Sequence, residues 1–295
     1  MGDRVLRLTA FAHTRQPLFM RLGLLRELQM ESGSPPSLVL ERWRAGDCSI
    51  LQGYPSALRS LAQYCLASNE ELSPTPREIF TDSELLGADT RRMLETVFHT
   101  RVTDVFGSYE TDNIAYQCEL GRGYHVTTDT VIVEILRDGQ VVQHGEEGEL
   151  VVTVLDNFRS PFIRYNLHDR VSWAGQPCDC GRSFPLLQVI KGRSDHLLLL
   201  PDGTERSAMD VLGRLDGFTE VMTHYQLRQH SARRYSLLYV PTPAWIPTHE
   251  QLLLDTIRPS LGTAEISLRR VTEIPLTASK KWLAFVREPD DGIAP

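Results

Sequence analysis

The chain has 295 residues, of which 41% are apolar and 23% charged, and its formal net charge is -7. That balance excludes a largely disordered chain and gives room for one large domain and a smaller one. An acidic surplus argues against nucleic acid or an anionic membrane as a partner, because phosphate-rich partners select concentrated positive charge, so small molecules are the expected ligands.

In chain order, residues 4–11 alternate apolar and polar side chains like a strand, and residues 17–30 repeat Leu and Met at helical spacing, which predicts one βα unit. A second follows, with a short apolar run at 49–52, a Tyr54-Pro55-Ser56 turn and a helical stripe over 57–67. A third places a strand at 78–81 and a helix at 89–98, before the strand-like 102–106. Alternating strands and helices imply a partial doubly wound parallel sheet, an α/β fold. After Glu110 the texture becomes β-rich at 127–136, 149–155 and 163–173, with Gly-containing turns between, which predicts a small β-barrel-like subdomain. From residue 193 a strand-turn-helix at 197–215, two strands, a helix near 251–257 and closing strands at 266–271 and 282–286 predict a C-terminal α+β module. The expected division is a large domain over 1–192, with its α/β region at 1–110 and its β-rich region at 111–192, followed by a smaller domain over 193–295.

The longest apolar runs, such as 197–200, are far shorter than the roughly 20 residues of a spanning helix, and the N-terminus has no basic-then-apolar leader pattern. A cytoplasmic location is the expectation. Five cysteines, an odd number, disfavour a disulfide framework. Cys48 and Cys65 read as core residues.

Three segments carry side chains suited to a nucleotide. In Phe106-Gly107-Ser108-Tyr109-Glu110 a strand ends in a glycine turn and presents an acid. Ligands of open α/β sheets lie beyond strand ends, and Glu110 is a hard oxygen donor for Mg²⁺; its bland alternative is a loop carboxylate that caps the next turn. In Ile163-Arg164-Tyr165-Asn166-Leu167-His168-Asp169 a strand delivers Arg164 and Asp169. A carboxylate can accept both hydroxyls of a ribose, and the alternative is an Arg164–Asp169 ion pair. Lys191-Gly192-Arg193-Ser194-Asp195 has the composition of a hinge between rigid bodies. Only Lys191, Lys280 and Lys281 among the 31 basic residues are lysines. Such retention fits a need for a compact ammonium, or chance on a solvated surface.

Cys178-Asp179-Cys180-Gly181, with Cys118 and His125, offers three thiolates and an imidazole, the ligand set of a closed structural Zn²⁺ site. Buried free cysteines beside a core histidine are the alternative. The remaining histidines show no pattern for nucleophilic catalysis.

Taken in order, Gly53-Tyr54-Pro55-Ser56-Ala57-Leu58, G-S-Y-E at 107–110, Gly145-Glu146-Glu147-Gly148-Glu149-Leu150, R-Y-x-x-x-D at 164–169 and G-R-S-D at 192–195 resemble the motif series of the acyl-adenylate-forming ligases, in their phenylacetate-CoA ligase branch. The resemblance implies an ATP-dependent acid ligase that forms acyl-AMP and then an acyl thioester, with ATP, Mg²⁺ and CoA as its small molecules and aryl acids as substrates. It implies that Gly107, Ser108 and Tyr109 line the nucleotide site and that Glu110 is the metal-binding acid. It makes Asp169 the ribose ligand, Arg193 a nucleotide contact and Asp195 the pivot of a lid spanning 193–295. Pro275-Leu276-Thr277-Ala278-Ser279-Lys280-Lys281 matches the segment that ends in the catalytic lysine, with Lys281 aligning best and Lys280 standing where glycine is expected. Some members of the branch also show a cysteine-rich site like the Cys118, His125, Cys178, Cys180 set.

The family's Ser/Thr/Gly-rich phosphate loop has no counterpart before Tyr54; Ser32-Gly33-Ser34-Pro35 is short and is expected to follow a helix. An N-terminally truncated homologue is the expectation, with an exposed sheet edge. The alternative function is therefore a non-catalytic or partner-dependent nucleotide- or acyl-binding module. Expected partners are a carboxylic acid and the thiol of CoA or a carrier protein, with a homodimer or a complementing N-terminal fragment as further alternatives.

Overall fold

The structure is a computed structural model that describes residues 3–10, 26–193, 197–277 and 282–288, with the side chains of 189–193 and of Met209 outside the description. They fall into two compact units, one drawn from residues up to Val102 and from Leu198 onward, the other Thr103–Leu197.

In the first unit β1 (Arg4–Thr9) pairs in parallel with β2 (Arg26–Glu31) and with β3 (Ile50–Gly53), and β3 with β4 (Glu78–Thr81), giving the order β2-β1-β3-β4. Three helices connect or follow these strands: α1 (Pro36–Gly46), α2 (Pro55–Ser68) and α3 (Ala88–Phe98). Pro36 and Pro55 open their helices where a missing N–H costs no intrahelical bond. Asp47, Asn69 and His99 close all three in the left-handed conformation, which releases the chain toward the next strand. The helices bury Leu40 and Trp43, Leu58 and Leu61, and Leu94 and Phe98 against Leu6, Leu8, Leu51 and Ile79. Each such side chain contributes about 1.5–3 kcal/mol when fully enclosed.

One expectation fails here. The helical spacing over 17–30 predicts helix for residues 26–30, yet they lie in strand β2; residues 11–25 lie outside the described residues. Arg, Glu and Leu favour helix locally, but parallel pairing with β1 along the whole of β2 outweighs that weak preference. As a consequence Ser32–Pro35 follows a strand and leads into α1, with the Ser32 amide bonded to Thr9 O at 2.8 Å.

The C-terminal residues of this unit form a hairpin, β13 (Leu197–Leu199) with β14 (Glu205–Ser207), then α4 (Ala208–Leu212) running into a 3₁₀ turn at Gly213–Phe218. A four-stranded sheet follows, made of β15 (Met222–Ser231), β16 (Arg234–Pro241), β17 (Glu265–Arg270) and β18 (Phe285–Arg287), in the order β17-β16-β15-β18. Helix α5 (Thr248–Leu261) covers it through Leu253, Ile257 and Leu261, which meet Leu227, Leu237 and Tyr239.

The second unit is antiparallel throughout. Its strands are β5 (Val102–Ser108), β6 (Asp112–Gln117), β7 (Tyr124–Val126), β8 (Val131–Arg137), β9 (Gln140–Val141), β10 (Glu147–Val154), β11 (Tyr165–Trp173) and β12 (Leu186–Arg193). Their order is β5-β6-β7-β12-β11-β10-β8-β9. Ile114, Val126, Ile135, Leu150, Val152, Val171 and Leu187 form its core. No helix among the described residues is long and apolar enough to cross a membrane.

Candidate functional site

The segment 106–110 is the tip of the β5–β6 hairpin. Gly107 stands opposite Asn113 and Ser108 opposite Asp112, with a register shift after Phe106. A Cβ on Gly107 would lie 2.2 Å from the Asp112 carbonyl oxygen, so the close approach of the two strands requires glycine. The Ser108 hydroxyl accepts the Thr111 amide at 3.2 Å and lies 3.0 Å from the Thr111 hydroxyl, which ties the turn shut. That closure leaves Tyr109 97% exposed, a free aromatic face, with Glu110 beside it and half-buried.

The second and third segments meet on one ladder. Asp169 of β11 is the register partner of Arg193 of β12. In place of the alternative Arg164–Asp169 ion pair, the Arg164 guanidinium reaches Glu134 of β8 at 3.0 Å. Its cause is backbone conformation, because Arg164 has φ 51° and precedes β11 rather than standing in it. Lys191, Gly192 and Arg193 belong to β12. Ser194, Asp195, Lys280 and Lys281 lie outside the described residues.

Cys118, His125, Cys178 and Cys180 converge, and their ligand atoms all lie within 4.8 Å of one another. The Cys118 and Cys178 sulfurs are 3.6 Å apart, and Cys180 Sγ is 3.3 Å from His125 Nε2. A tetrahedron with Zn–S near 2.3 Å and Zn–N near 2.0 Å has edges of about 3.5–3.8 Å, so the donor set fits Zn²⁺. His125 is fully buried on β7, and its Nδ1 lies 3.3 Å from the Phe184 carbonyl, which holds the proton there and leaves Nε2 for a metal. Burial raises the Cys180 thiol, but the amide and guanidinium of Arg182 and the neighbouring thiols outweigh it and bring it below its ordinary range. Arg182 also donates to Glu119 at 2.7 Å, and Arg122 pairs with Asp179, so two cations brace the cysteine loop. No cysteine forms a disulfide. Cys48 and Cys65 are buried in the α/β core, where enclosure pushes the Cys65 thiol up to about 11.

A further set of polar side chains has no motif to announce it. Glu84 follows the carboxyl end of β4, and its carboxylate accepts the Ser56 amide and hydroxyl, each at 3.0 Å, and the Trp282 amide at 3.2 Å. Enclosure raises the Glu84 carboxyl, opposed by those donors and by the Arg59 charge. Arg59 is 4% exposed; its guanidinium lies 5.5 Å from the Trp282 ring centroid and donates to the Thr223 carbonyl. Gln63 donates to Thr219 O at 2.7 Å, and Asp216 accepts the Ala88 amide at 3.2 Å, capping α3 from the C-terminal residues. His224 meets Trp282 edge-on, and burial beside Arg59 lowers its pKa to about 4. The position of Glu84 at the end of a parallel strand is a signal that sequence could have supplied, since ligand crevices open there.

No family model matches the chain. It is 26% identical over 182 residues to the phenylacetate-coenzyme A ligase of Thermus thermophilus, covering 58% of this chain and 41% of that protein. It is 30% identical over 154 residues to the CapK protein of Staphylococcus aureus, covering 50% of this chain and 32% of that protein. Among solved structures, 2-hydroxyisobutyryl-CoA ligase in its postadenylation state with 2-HIB-AMP superposes with a TM-score of 0.77 at 18% identity, over 97% of this chain and 66% of that one. The chain is similar to phenylacetate-CoA ligase over 182 residues and shares the fold of the CoA ligase of known structure. An anthranilate CoA ligase in complex with anthranoyl-AMP gives a TM-score of 0.71 at 17% identity, over 95% of this chain and 58% of that one. The chain therefore spans about a third to two thirds of the length of these proteins.

Proposed function

We propose that this chain supplies a portion of an ATP-dependent carboxylic acid ligase with an aryl acid, of the phenylacetate type, as its substrate. In the first step a carboxylate oxygen attacks the α-phosphorus of ATP, the bond to the β-phosphate bridging oxygen breaks, and acyl-AMP and pyrophosphate result. In the second the sulfur of CoA attacks the acyl carbon, AMP leaves with the bonding pair, and the thiol proton passes to solvent.

The observation that supports this reading is the β11–β12 register, which makes Asp169 a neighbour of Arg193 although 23 residues of chain separate them. In this reading Asp169 accepts the ribose hydroxyls while Arg193 contacts the nucleotide, and the exposed Tyr109 ring at the hairpin tip offers a face to the adenine. Gly107 and Ser108 shape that hairpin. Glu110 is the residue that would hold Mg²⁺, which neutralises phosphate charge when bound. Residues 193–295 form the lid with Asp195 as pivot, and Lys281 places a positive charge where negative charge grows on the attacked phosphate. The catalytic term is positioning and charge neutralisation rather than a covalent enzyme intermediate. The Cys118, His125, Cys178, Cys180 set would hold Zn²⁺ in a structural role, because four protein donors leave no coordination position for substrate.

The test is acid-dependent ATP–pyrophosphate exchange with a panel of aryl acids. Exchange that Lys281→Ala abolishes supports the ligase reading; no exchange with any acid favours a binding module that depends on another polypeptide.

A further inference from the structure

Glu84 belongs to none of the motifs assigned above, yet its carboxylate joins three groups from distant stretches of the chain. Two come from the first turn of α2, the Ser56 amide and hydroxyl; the third is the Trp282 amide, 198 residues away in sequence. Trp282 is held from its other side as well, by the Arg59 guanidinium over its ring and by its indole N–H donating to the Tyr225 carbonyl at 2.8 Å. The anchoring is polar and enclosed, so each bond is stronger than at the surface and the loss of one partner strands the others.

The Trp282 amide is the N–H of the peptide group that joins residue 282 to Lys281. The bond to Glu84 therefore holds the Trp282 segment at its first backbone donor. Glu84 itself stands beyond the carboxyl end of β4, next to the turn after β3, the side on which open parallel sheets hold ligands.

We propose that Glu84 is a positioning residue for acid activation: by bridging Ser56 at the start of α2 to the Trp282 amide, it sets the residue next to Lys281 for the first half-reaction and plays no role in the second. This rests on the ligase reading and deepens it. The bridge acts through the backbone of Trp282, so its contribution is to the geometry of adenylation and not to acid or nucleotide binding. Arg59 completes the clasp by matching the Glu84 charge and covering the indole.

The experiment separates the half-reactions in Glu84→Gln, which presents an amide N–H₂ to donors that need an acceptor. Acyl-AMP formation from acid and ATP is expected to fall about tenfold or more in rate, a loss of about 1.4 kcal/mol or more, with KM for the acid unchanged. Thioester formation from chemically prepared acyl-AMP and CoA is expected to stay at the parent rate, and hydrogen exchange at the Trp282 amide is expected to rise. Ser56→Ala, which removes one tether and leaves the carboxylate in place, is expected to give a smaller loss of the same kind. Equal losses in both half-reactions, or an unchanged first half-reaction, would overturn the proposal while leaving the ligase reading intact. Failure of the parent chain to form acyl-AMP from any acid would overturn the ligase reading, and with it this assignment.

Discussion

Asp169 and Arg193 are direct cross-strand partners in the antiparallel β11–β12 ladder. Directly opposed residues hold their Cβ atoms about 4.5–5.5 Å apart, near enough for two side chains to address one small ligand. The pairing brings two motifs that stand well apart in the sequence onto one ladder.

From that relationship follows a binding prediction. Asp169→Ala is expected to weaken AMP binding by about tenfold or more, since a hydrogen bond to a charged group is worth about 1.5–3 kcal/mol. Calorimetric titration of the parent and the variant with AMP checks it. Equal affinities would remove Asp169 from the ribose role.

The cysteine cluster predicts metal. Purified protein is expected to carry about one zinc per chain by elemental analysis, because three thiolates and an imidazole within 4.8 Å form a closed set. Cys178→Ser is expected to lose the metal and lower the thermal midpoint of the β-rich unit. A folded, metal-free parent protein would leave the four residues as a buried thiol cluster.

His224 predicts an acid-side loss of stability. Its folded pKa of about 4 lies below the ordinary 6.5, so the unfolded chain binds the proton first as pH falls. The full contribution is present above about pH 6.5 and is lost as pH drops toward 4. Between pH 7 and 5 the loss from this residue is about 2 kcal/mol. Urea unfolding of the parent and of His224→Phe at both pH values measures it, with a shallower pH dependence expected in the variant.

Gly107 predicts a packing failure. Gly107→Ala would place a methyl 2.2 Å from the Asp112 carbonyl and force the β5–β6 hairpin apart, at a cost of about 1–3 kcal/mol. A lower unfolding midpoint together with weaker AMP binding is the expected pair of outcomes.

Much of this was legible in the sequence because it depended on local pattern. The strand-helix alternation from Ile50 to Phe98 appears nearly residue for residue, since β3, β4, α2 and α3 each have apolar periodicity that agrees with their final packing. The four metal-ligand candidates were legible from side-chain chemistry alone. Strand β2 was not, because Arg26 to Glu31 carries helix-favouring residues and becomes a strand only through pairing with β1. Arg59 and Asp216 were not legible either, and Glu84 was marked only by its place after a parallel strand. Their meaning depends on Trp282, Thr223 and Ala88, and contacts over such sequence separations leave no periodic trace.

The central claim is that this chain holds an acyl-adenylate. Equilibrium titration with a non-hydrolysable aryl-acyl sulfamoyl adenosine tests it most directly. The account predicts saturable binding at about one site per chain, weakened by Asp169→Ala and by Arg193→Ala. Absence of binding, or binding indifferent to both substitutions, would contradict it.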